Sequence, residues 1–274
     1  MKKILVLAIG IILLSVTSAF CVSVETMIPA LEKTKEGITA VFTSIDADMA
    51  AAAKKLSIVG PKSDDARKVL SDLCKKGDYV IDCAIVDTKG VMIAVEPKEY
   101  SKYEGEDISK QPQVAVMLQY NRPVLSDVFR SVEGIDAVDF GYPISSSSGE
   151  FIGSVSMLVK QQALSQDIIV PLVSYIPCKV WIMQKDGLVV YDPDPQQIGK
   201  NIFKDDFYRP FQDLVSFSET VAGSRDGAGS YDFYTKGLED KTIVKKYAIW
   251  DTVSLYGTEW RIIVMEADKP LEKK

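Results

Sequence analysis

The chain has 274 residues, of which 47% are apolar and 26% are charged, and its net charge is −6. This composition excludes wholesale disorder, and the acidic balance disfavours nucleic acid as a partner. The sequence contains no histidine, so no Ser-His-Asp triad, Cys-His pair, histidine metal site or histidine general base can form. The length is typical of about two domains.

Residues 1–24 have the pattern of a signal peptide or a membrane anchor. Lys2 and Lys3 precede an apolar run over 4–14, and small residues follow at 15–19. A charged start, an apolar core and small residues are typical of a signal peptide. Apolar residues continue for about 20 positions, enough to span a bilayer without cleavage. Both alternatives predict an extracytoplasmic chain from residue 25 onward, either secreted or anchored by its N-terminal segment.

Cysteine is sparse in this chain. Beyond Cys21 in the apolar segment there are Cys74, Cys83 and Cys178. Cys74 and Cys83 are near enough in sequence to bridge a helix end to a strand. The alternative is that the cysteines are buried thiols, which pack as small apolar side chains. Without histidine or a Cys-x-x-Cys pair, no metal site is expected.

Residues 25–77 form a predicted helical region. Apolar residues recur at intervals of three, four or seven from residue 25 to about 57, which predicts one long helix with an apolar stripe. Gly60 and Pro61 end this helix. Ser63 is a predicted N-cap of a second helix, and Gly77 closes that helix.

Two stretches rich in strands follow, residues 78–160 and 178–267, with a linking helix at 161–177 between them and a polar tail at 268–274. The first stretch has predicted strands at 79–87, 91–95, 124–129, 135–144 and 151–159 and a helix at 113–120. The second has predicted strands at 179–184, 188–191, 230–234, 245–250 and 260–267 and a helical segment at 203–217.

The two stretches repeat one pattern. In each, a glycine closes the first hairpin, at Gly90 and at Gly187, in a turn that requires positive φ. A Gly-x-x-Ile loop follows at 105–108 and again at 199–202. The order of elements recurs over about 90 residues, which indicates an internal duplication. The predicted fold class is therefore α+β, a long N-terminal helix followed by two modules, each a five-stranded antiparallel sheet with flanking helices.

A signal or anchor, a long helix and two such modules resemble the double Cache domain, the extracellular sensory part of chemoreceptors and histidine kinases. The resemblance covers about residues 25–267 and implies that the modules are PAS-like. It implies a membrane-distal module at 78–160 that holds a small ligand between its sheet and its loops, and a membrane-proximal module at 178–267. The implied function is an extracytoplasmic small-molecule-binding sensor. It would be non-enzymatic and without a cofactor, and it would act in signal transduction through a membrane partner, because no output domain is recognisable in the sequence.

The resemblance also limits the ligand. The amino-acid-binding subset of the family carries an Arg-x-Trp-Tyr run after the Gly-x-x-Ile loop, whereas residues 111–114 read Gln-Pro-Gln-Val here. That subset also carries an aspartate in the closing strand of the distal module, and the corresponding position here is near Leu158, which is apolar. A free α-amino acid, which needs charged partners, is therefore not expected. The candidate ligand-binding residues around the expected first-module pocket are Tyr103, Tyr120, Arg122, Asp127, Phe129, Asp139 and Tyr142. Each has an alternative interpretation as a core tyrosine or phenylalanine or as a solvated charge.

Three alternatives remain open from the sequence. Asp192 and Asp194 could belong to a calcium site or to a proline-rich turn. The chain could be a ligand-free scaffold that forms a homodimer through its N-terminal helix, and a closed core in the first module would favour that hypothesis. A carboxylate-based hydrolase would need two carboxylates in one cleft, and the sequence order reveals no such pair.

Overall fold

The computed structural model describes residues 2–267 apart from 236 and 238, and it describes side chains from Thr26 onward. The predicted signal or anchor segment and the predicted polar tail fall outside the residues whose side chains are described. From Thr26 to residue 267, the part of the chain whose side chains are described, no helix has an apolar stretch long enough to cross a membrane.

Helix α1 (Lys2–Val59) and helix α2 (Asp64–Cys74) form the N-terminal helical region. The predicted apolar stripe of α1 is buried, including Ile38, Ile45 and Met49. The predicted N-cap of α2 is confirmed, because the Ser63 hydroxyl accepts a hydrogen bond from the Ala66 N–H at 3.2 Å. Such a cap supplies an acceptor for one of the helix's otherwise unpaired N–H groups.

The rest of the described chain contains eleven strands, three further α-helices and two short 3₁₀ helices, Lys98–Tyr103 and Asp206–Tyr208. The strands are β1 (Val80–Val86), β2 (Met92–Glu96), β3 (Val124–Leu125), β4 (Phe129–Arg130), β5 (Asp136–Ser145), β6 (Phe151–Val159), β7 (Lys179–Gln184), β8 (Val189–Tyr191), β9 (Gly227–Tyr234), β10 (Ile243–Leu255) and β11 (Thr258–Ala267). The helices are α3 (Pro112–Tyr120), α4 (Gln161–Val173) and α5 (Gln212–Gly223).

The strands form two antiparallel sheets with the same topology. The first has the order β2-β1-β6-β5-β3, with β4 also paired to β5, and the second has the order β8-β7-β11-β10-β9. The predicted fold class is confirmed, with one strand more than expected in the first sheet. The predicted strand at 124–129 is divided into β3 and β4, because Ser126 bonds Asp139 through its own N–H and through its hydroxyl, which accepts the Asp139 N–H.

The backbone confirms the internal repeat. Gly90 and Gly187 have φ values of +87° and +89°, a conformation that glycine adopts without strain. The carbonyl of Gly90 accepts the N–H of Ile108 at 2.9 Å, and the carbonyl of Gly187 accepts the N–H of Ile202 at the same distance. Each hairpin turn is thus tied to its Gly-x-x-Ile loop by equivalent bonds.

The chain divides into two compact units. One, the first unit, contains the first sheet and comprises residues 38–167 and 254–259. The other, the second unit, contains the second sheet and comprises residues 1–37, 168–253 and 260–274. The core of the second unit packs aromatic side chains edge to face, as between Phe211 and Phe233, whose ring centres are 4.8 Å apart.

Cys74, Cys83 and Cys178 are free thiols. The Cys74 thiol donates a hydrogen bond to the carbonyl of Glu96 at 3.0 Å. Cys83 is fully buried on β1, and burial raises the pKa of its thiol. The structure therefore shows the buried-thiol alternative for Cys83 rather than a bridge.

Candidate functional site

The second unit encloses a cavity of about 150 Å³ between its sheet, the turn after β8 and helix α5. Apolar side chains form part of the wall, among them Val189, Ile202, Leu214, Phe233 and Met265. Polar and charged side chains also reach the cavity, among them Asp192, Gln197, Tyr208, Tyr231 and Lys246. Mostly apolar pockets with a few placed polar groups are typical of small-molecule sites.

Lys246 places a cation on the cavity wall. It lies in β10 directly opposite Tyr231 of β9, and cross-strand partners present their side chains to the same face of a sheet. Lys246 is 4% exposed, and its Nζ lies 5.3 Å from the centre of the Phe233 ring. Burial lowers the pKa of Lys246 to about 8, and the nearby Asp192 partly opposes that shift.

Asp192 and Tyr208 hold the turn that closes the cavity. The Asp192 carboxylate accepts the N–H of Asp194 at 2.7 Å, as in an Asx turn. The Tyr208 hydroxyl donates to Oε1 of Gln197 at 2.6 Å. Burial raises the pKa of Asp192 to about 7, and the hydrogen bond from Asp194 opposes the shift.

The calcium alternative for this turn gains no support from the geometry. Asp192 and Asp194 both accept turn N–H groups, Asp194 from Gln196 at 3.0 Å. No group of three or more potential ligands is assembled for a metal among the described residues. The proline-rich turn is the interpretation that these hydrogen bonds favour.

The first unit contains a much smaller cavity, of about 20 Å³, lined by three carboxyl residues, Asp82, Glu133 and Asp139. Asp82 of β1 and Asp139 of β5 both pair with Leu158 of the intervening strand β6, so they flank it on one face. Ser156 donates to Asp139 at 2.5 Å, whereas Oδ2 of Asp82 has no hydrogen-bond partner among the described residues. Burial raises the pKa of Asp82 to about 8 and that of Asp139 to about 7, and Glu133 adds to both shifts.

This pair corrects one expectation from the sequence. The sequence order reveals no converging carboxylates, yet the sheet brings Asp82 and Asp139 into one cavity. A hydrolase is still not favoured there, because a cavity of about 20 Å³ has room for about one water molecule.

A wider depression of about 340 Å³ lies elsewhere on the first unit. Three of the predicted ligand-binding residues border it, namely Arg122, Asp127 and Phe129. Arg122 and Asp127 are exposed, as is Tyr256 on the same border. The depression is therefore more open to solvent than the second-unit cavity.

The other predicted residues are dispersed. Tyr103 stacks on Tyr100 with ring centres 6.5 Å apart, beside a small apolar cluster. Tyr120 is 58% exposed and has the Arg122 guanidinium over its ring at 5.4 Å. Tyr142 is half-buried and lines none of the cavities described above.

None of the predicted residues lies in the second-unit cavity, so sequence reasoning missed that site. Lys246 carried a signal, since it stands in the same alternating register of its strand as the apolar residues Ala248 and Trp250. An inward lysine in such a strand is costly unless it has a function.

Residues 40–161 match the HK/GC/chemotaxis protein-like sensor domain family. An extracellular ligand-binding receptor from Desulfohalobium retbaense is 31% identical with a TM-score of 0.73, over 86% of this chain and 39% of the receptor. The resemblance to double Cache sensors is confirmed. No curated protein matches the sequence.

Two solved sensor domains share the fold at lower identity. The periplasmic sensory domain of the Campylobacter jejuni chemoreceptor Tlp1 is 14% identical with a TM-score of 0.55, over 91% of this chain and 98% of that domain. The ligand-binding domain of Pseudomonas fluorescens chemoreceptor CtaA, in complex with L-alanine, is 13% identical with a TM-score of 0.57, over 88% and 95%. This chain thus has the fold of extracytoplasmic ligand-binding sensor domains, and it spans less than half the length of the receptor it matches at 31% identity.

Proposed function

We propose that this chain is an extracytoplasmic sensor that captures a small organic molecule in the second-unit cavity and acts in signal transduction through a partner. The observation that carries the proposal is the cavity itself. Its wall combines an apolar lining with the buried cation of Lys246 and the carboxyl group of Asp192. A non-enzymatic role is part of the proposal, and so is delivery outside the cytoplasm by residues 1–24, through export or anchoring.

The turn at 192–197 is the element that a ligand would move. It borders the cavity and is held to Tyr208 by the bond from that hydroxyl to Gln197. A ligand that contacts the turn in a closed arrangement would shift the population of the protein toward that arrangement. Homodimerisation through α1, with its buried and exposed faces, is a further part of the hypothesis and needs its own test by sedimentation.

Tryptophan fluorescence can locate the ligand. All three tryptophans, Trp181, Trp250 and Trp260, belong to the second unit, and Trp181 lines the cavity. The purified full chain would be screened by thermal shift against organic acids, amines and nucleobases, since a ligand stabilises the folded state that binds it. We expect a stabilising compound that also changes the fluorescence, and we expect the change to be lost in Trp181→Phe.

The first unit provides the competing location. Its wide depression is bordered by the predicted residues Arg122, Asp127 and Phe129. A compound that raises the melting temperature without changing the tryptophan emission would place the ligand there and refute the second-unit site. A broad screen without any stabilising compound would contradict ligand capture altogether and favour the scaffold alternative.

A further inference from the structure

The cation of Lys246 lacks an anionic partner. No hydrogen bond and no ion pair within 4.0 Å is formed by its Nζ among the described residues, although the side chain is only 4% exposed. Its Nζ lies 5.3 Å from the centre of the Phe233 ring. Buried charges in proteins are ordinarily paired and hydrogen-bonded, because removing them from water is costly. A partner for this charge can reach it from the cavity that Lys246 lines.

The other charges around the cavity do not serve as that partner. Asp192 accepts the N–H of Asp194 and forms no ion pair with Lys246 within 4.0 Å, and Asp194, which also lines the cavity, accepts the N–H of Gln196. Lys179 and Glu239 also line the cavity, but both are exposed, and water screens exposed charges. Lys246 is therefore the buried charge with which an anionic group of a ligand can pair.

The volume and the wall limit the rest of the ligand. An apolar cavity of about 150 Å³ accommodates a molecule of the size of benzene, and this cavity has that volume. Ile202, Leu214 and Met265 offer an apolar surface to a short hydrocarbon tail. The Tyr231 hydroxyl offers an uncharged polar contact beside it.

We infer that the second-unit cavity binds a small monocarboxylate, with its carboxylate on the Lys246 ammonium and its short carbon chain against Ile202, Leu214 and Met265. This inference rests on the proposed function and names the ligand class of the same site. A charge-assisted hydrogen bond from a buried ammonium to a carboxylate is among the stronger polar contacts in proteins.

The decisive experiment compares molecules of nearly the same shape and different charge. The purified full chain would be titrated with propionate, propionamide, propylamine and L-alanine at constant ionic strength, and tryptophan emission would be followed. We expect propionate to bind about tenfold or more tightly than propionamide, since bonds to charged groups exceed neutral ones by that much. Propylamine is expected to bind no better than the amide.

The chain offers a matched pair of variants. Lys246→Met removes the buried charge while keeping the length of the side chain. Lys245→Met makes the same change at the next position of β10, where the side chain is on the opposite face and pairs with Asp232 at 3.4 Å. We expect Lys246→Met to weaken propionate binding about tenfold or more, and Lys245→Met to leave it within about twofold. Near-ultraviolet circular dichroism would confirm folding, and Lys246→Arg, which keeps the charge, should retain propionate binding.

The outcomes separate this inference from the proposed function. Propionate binding that is equal in Lys246→Met, or tighter binding of propionamide, propylamine or L-alanine by the unaltered chain, would overturn the carboxylate assignment. If the carboxylates do not bind but another screened compound changes the Trp181 emission, the ligand class is wrong and the sensor function stands. If neither the four probes nor the screened compounds bind, both are refuted.

Discussion

Replacing Asp82 by asparagine is expected to remove part of the pH dependence of stability. Asp82 is 2% exposed, and burial raises its pKa from the ordinary value of 3.8 to about 8. Glu133 and Asp139 add to this shift. A carboxyl group with a raised pKa in the folded state binds a proton on folding wherever the unfolded chain is ionised. Its contribution therefore lowers the free energy of unfolding as the pH rises from about 4 to about 8.

The magnitude follows from the number of protons. One proton taken up on folding changes the free energy of unfolding by about 1.4 kcal/mol per pH unit, or about 2.7 kcal/mol between pH 5 and pH 7. This is an upper limit, because the titration of Asp82 is coupled to that of Asp139. An asparagine side chain cannot ionise and has nearly the same shape as an aspartate, so the Asp82→Asn variant should lose most of this slope and be the more stable protein at pH 7.

Urea unfolding at pH 5, 6 and 7, followed by circular dichroism, measures these slopes. Asp78→Asn is the matched control, because Asp78 is an exposed aspartate close to Asp82 in sequence. The control should keep the slope of the unaltered protein. Parallel slopes for the unaltered protein and Asp82→Asn would refute the argument that Asp82 is protonated by burial.

Three further predictions follow from other contacts. Lys246→Met should raise the free energy of unfolding at pH 7 by about 1–3 kcal/mol. The free energy of unfolding of the unaltered protein should rise between pH 8 and pH 10.5, because the folded-state pKa of Lys246 is lowered to about 8 from 10.5, and that of Lys246→Met should not show this rise. Urea unfolding of both proteins at both pH values tests this, and the same pH dependence in the two proteins would contradict it. Gly90→Ala should cost more than Gly105→Ala in thermal unfolding: both have positive φ, but only at Gly90 would the new Cβ meet other atoms, at 2.6 Å. Strain alone at Gly105 should cost about 1 kcal/mol, and equal losses would show that the steric contact is relieved. Tyr208→Phe should lower the free energy of unfolding by about 1–2 kcal/mol, because Gln197 loses its bond at 2.6 Å inside the protein; no loss in urea unfolding would mean that the turn is held by other contacts.

The long helix, the two-module repeat and the fold class could be predicted from the sequence. Each rests on local rules that one stretch of chain satisfies by itself. The apolar stripe of α1 follows from helical periodicity, and the turns at Gly90 and Gly187 follow from the positive φ that their hairpins require, a conformation confirmed at +87° and +89°. The split of the strand at 124–129 was not predictable, because it depends on Ser126 bonding Asp139, thirteen residues away.

The sites are where the sequence alone is insufficient. Asp82 and Asp139 are 57 positions apart, and no local pattern in the sequence predicts that both flank Leu158. Only the register of β1, β6 and β5 brings them together. The sequence places Lys246 in register with Ala248 and Trp250, but only its pairing with Tyr231 in the sheet puts it on the cavity wall. The elements and their repetition could be predicted from the sequence, since propensity, periodicity and turn chemistry act over a few residues. Tertiary structure alone decided which charges lost water and which cavity they face, because burial depends on partners that are distant along the chain.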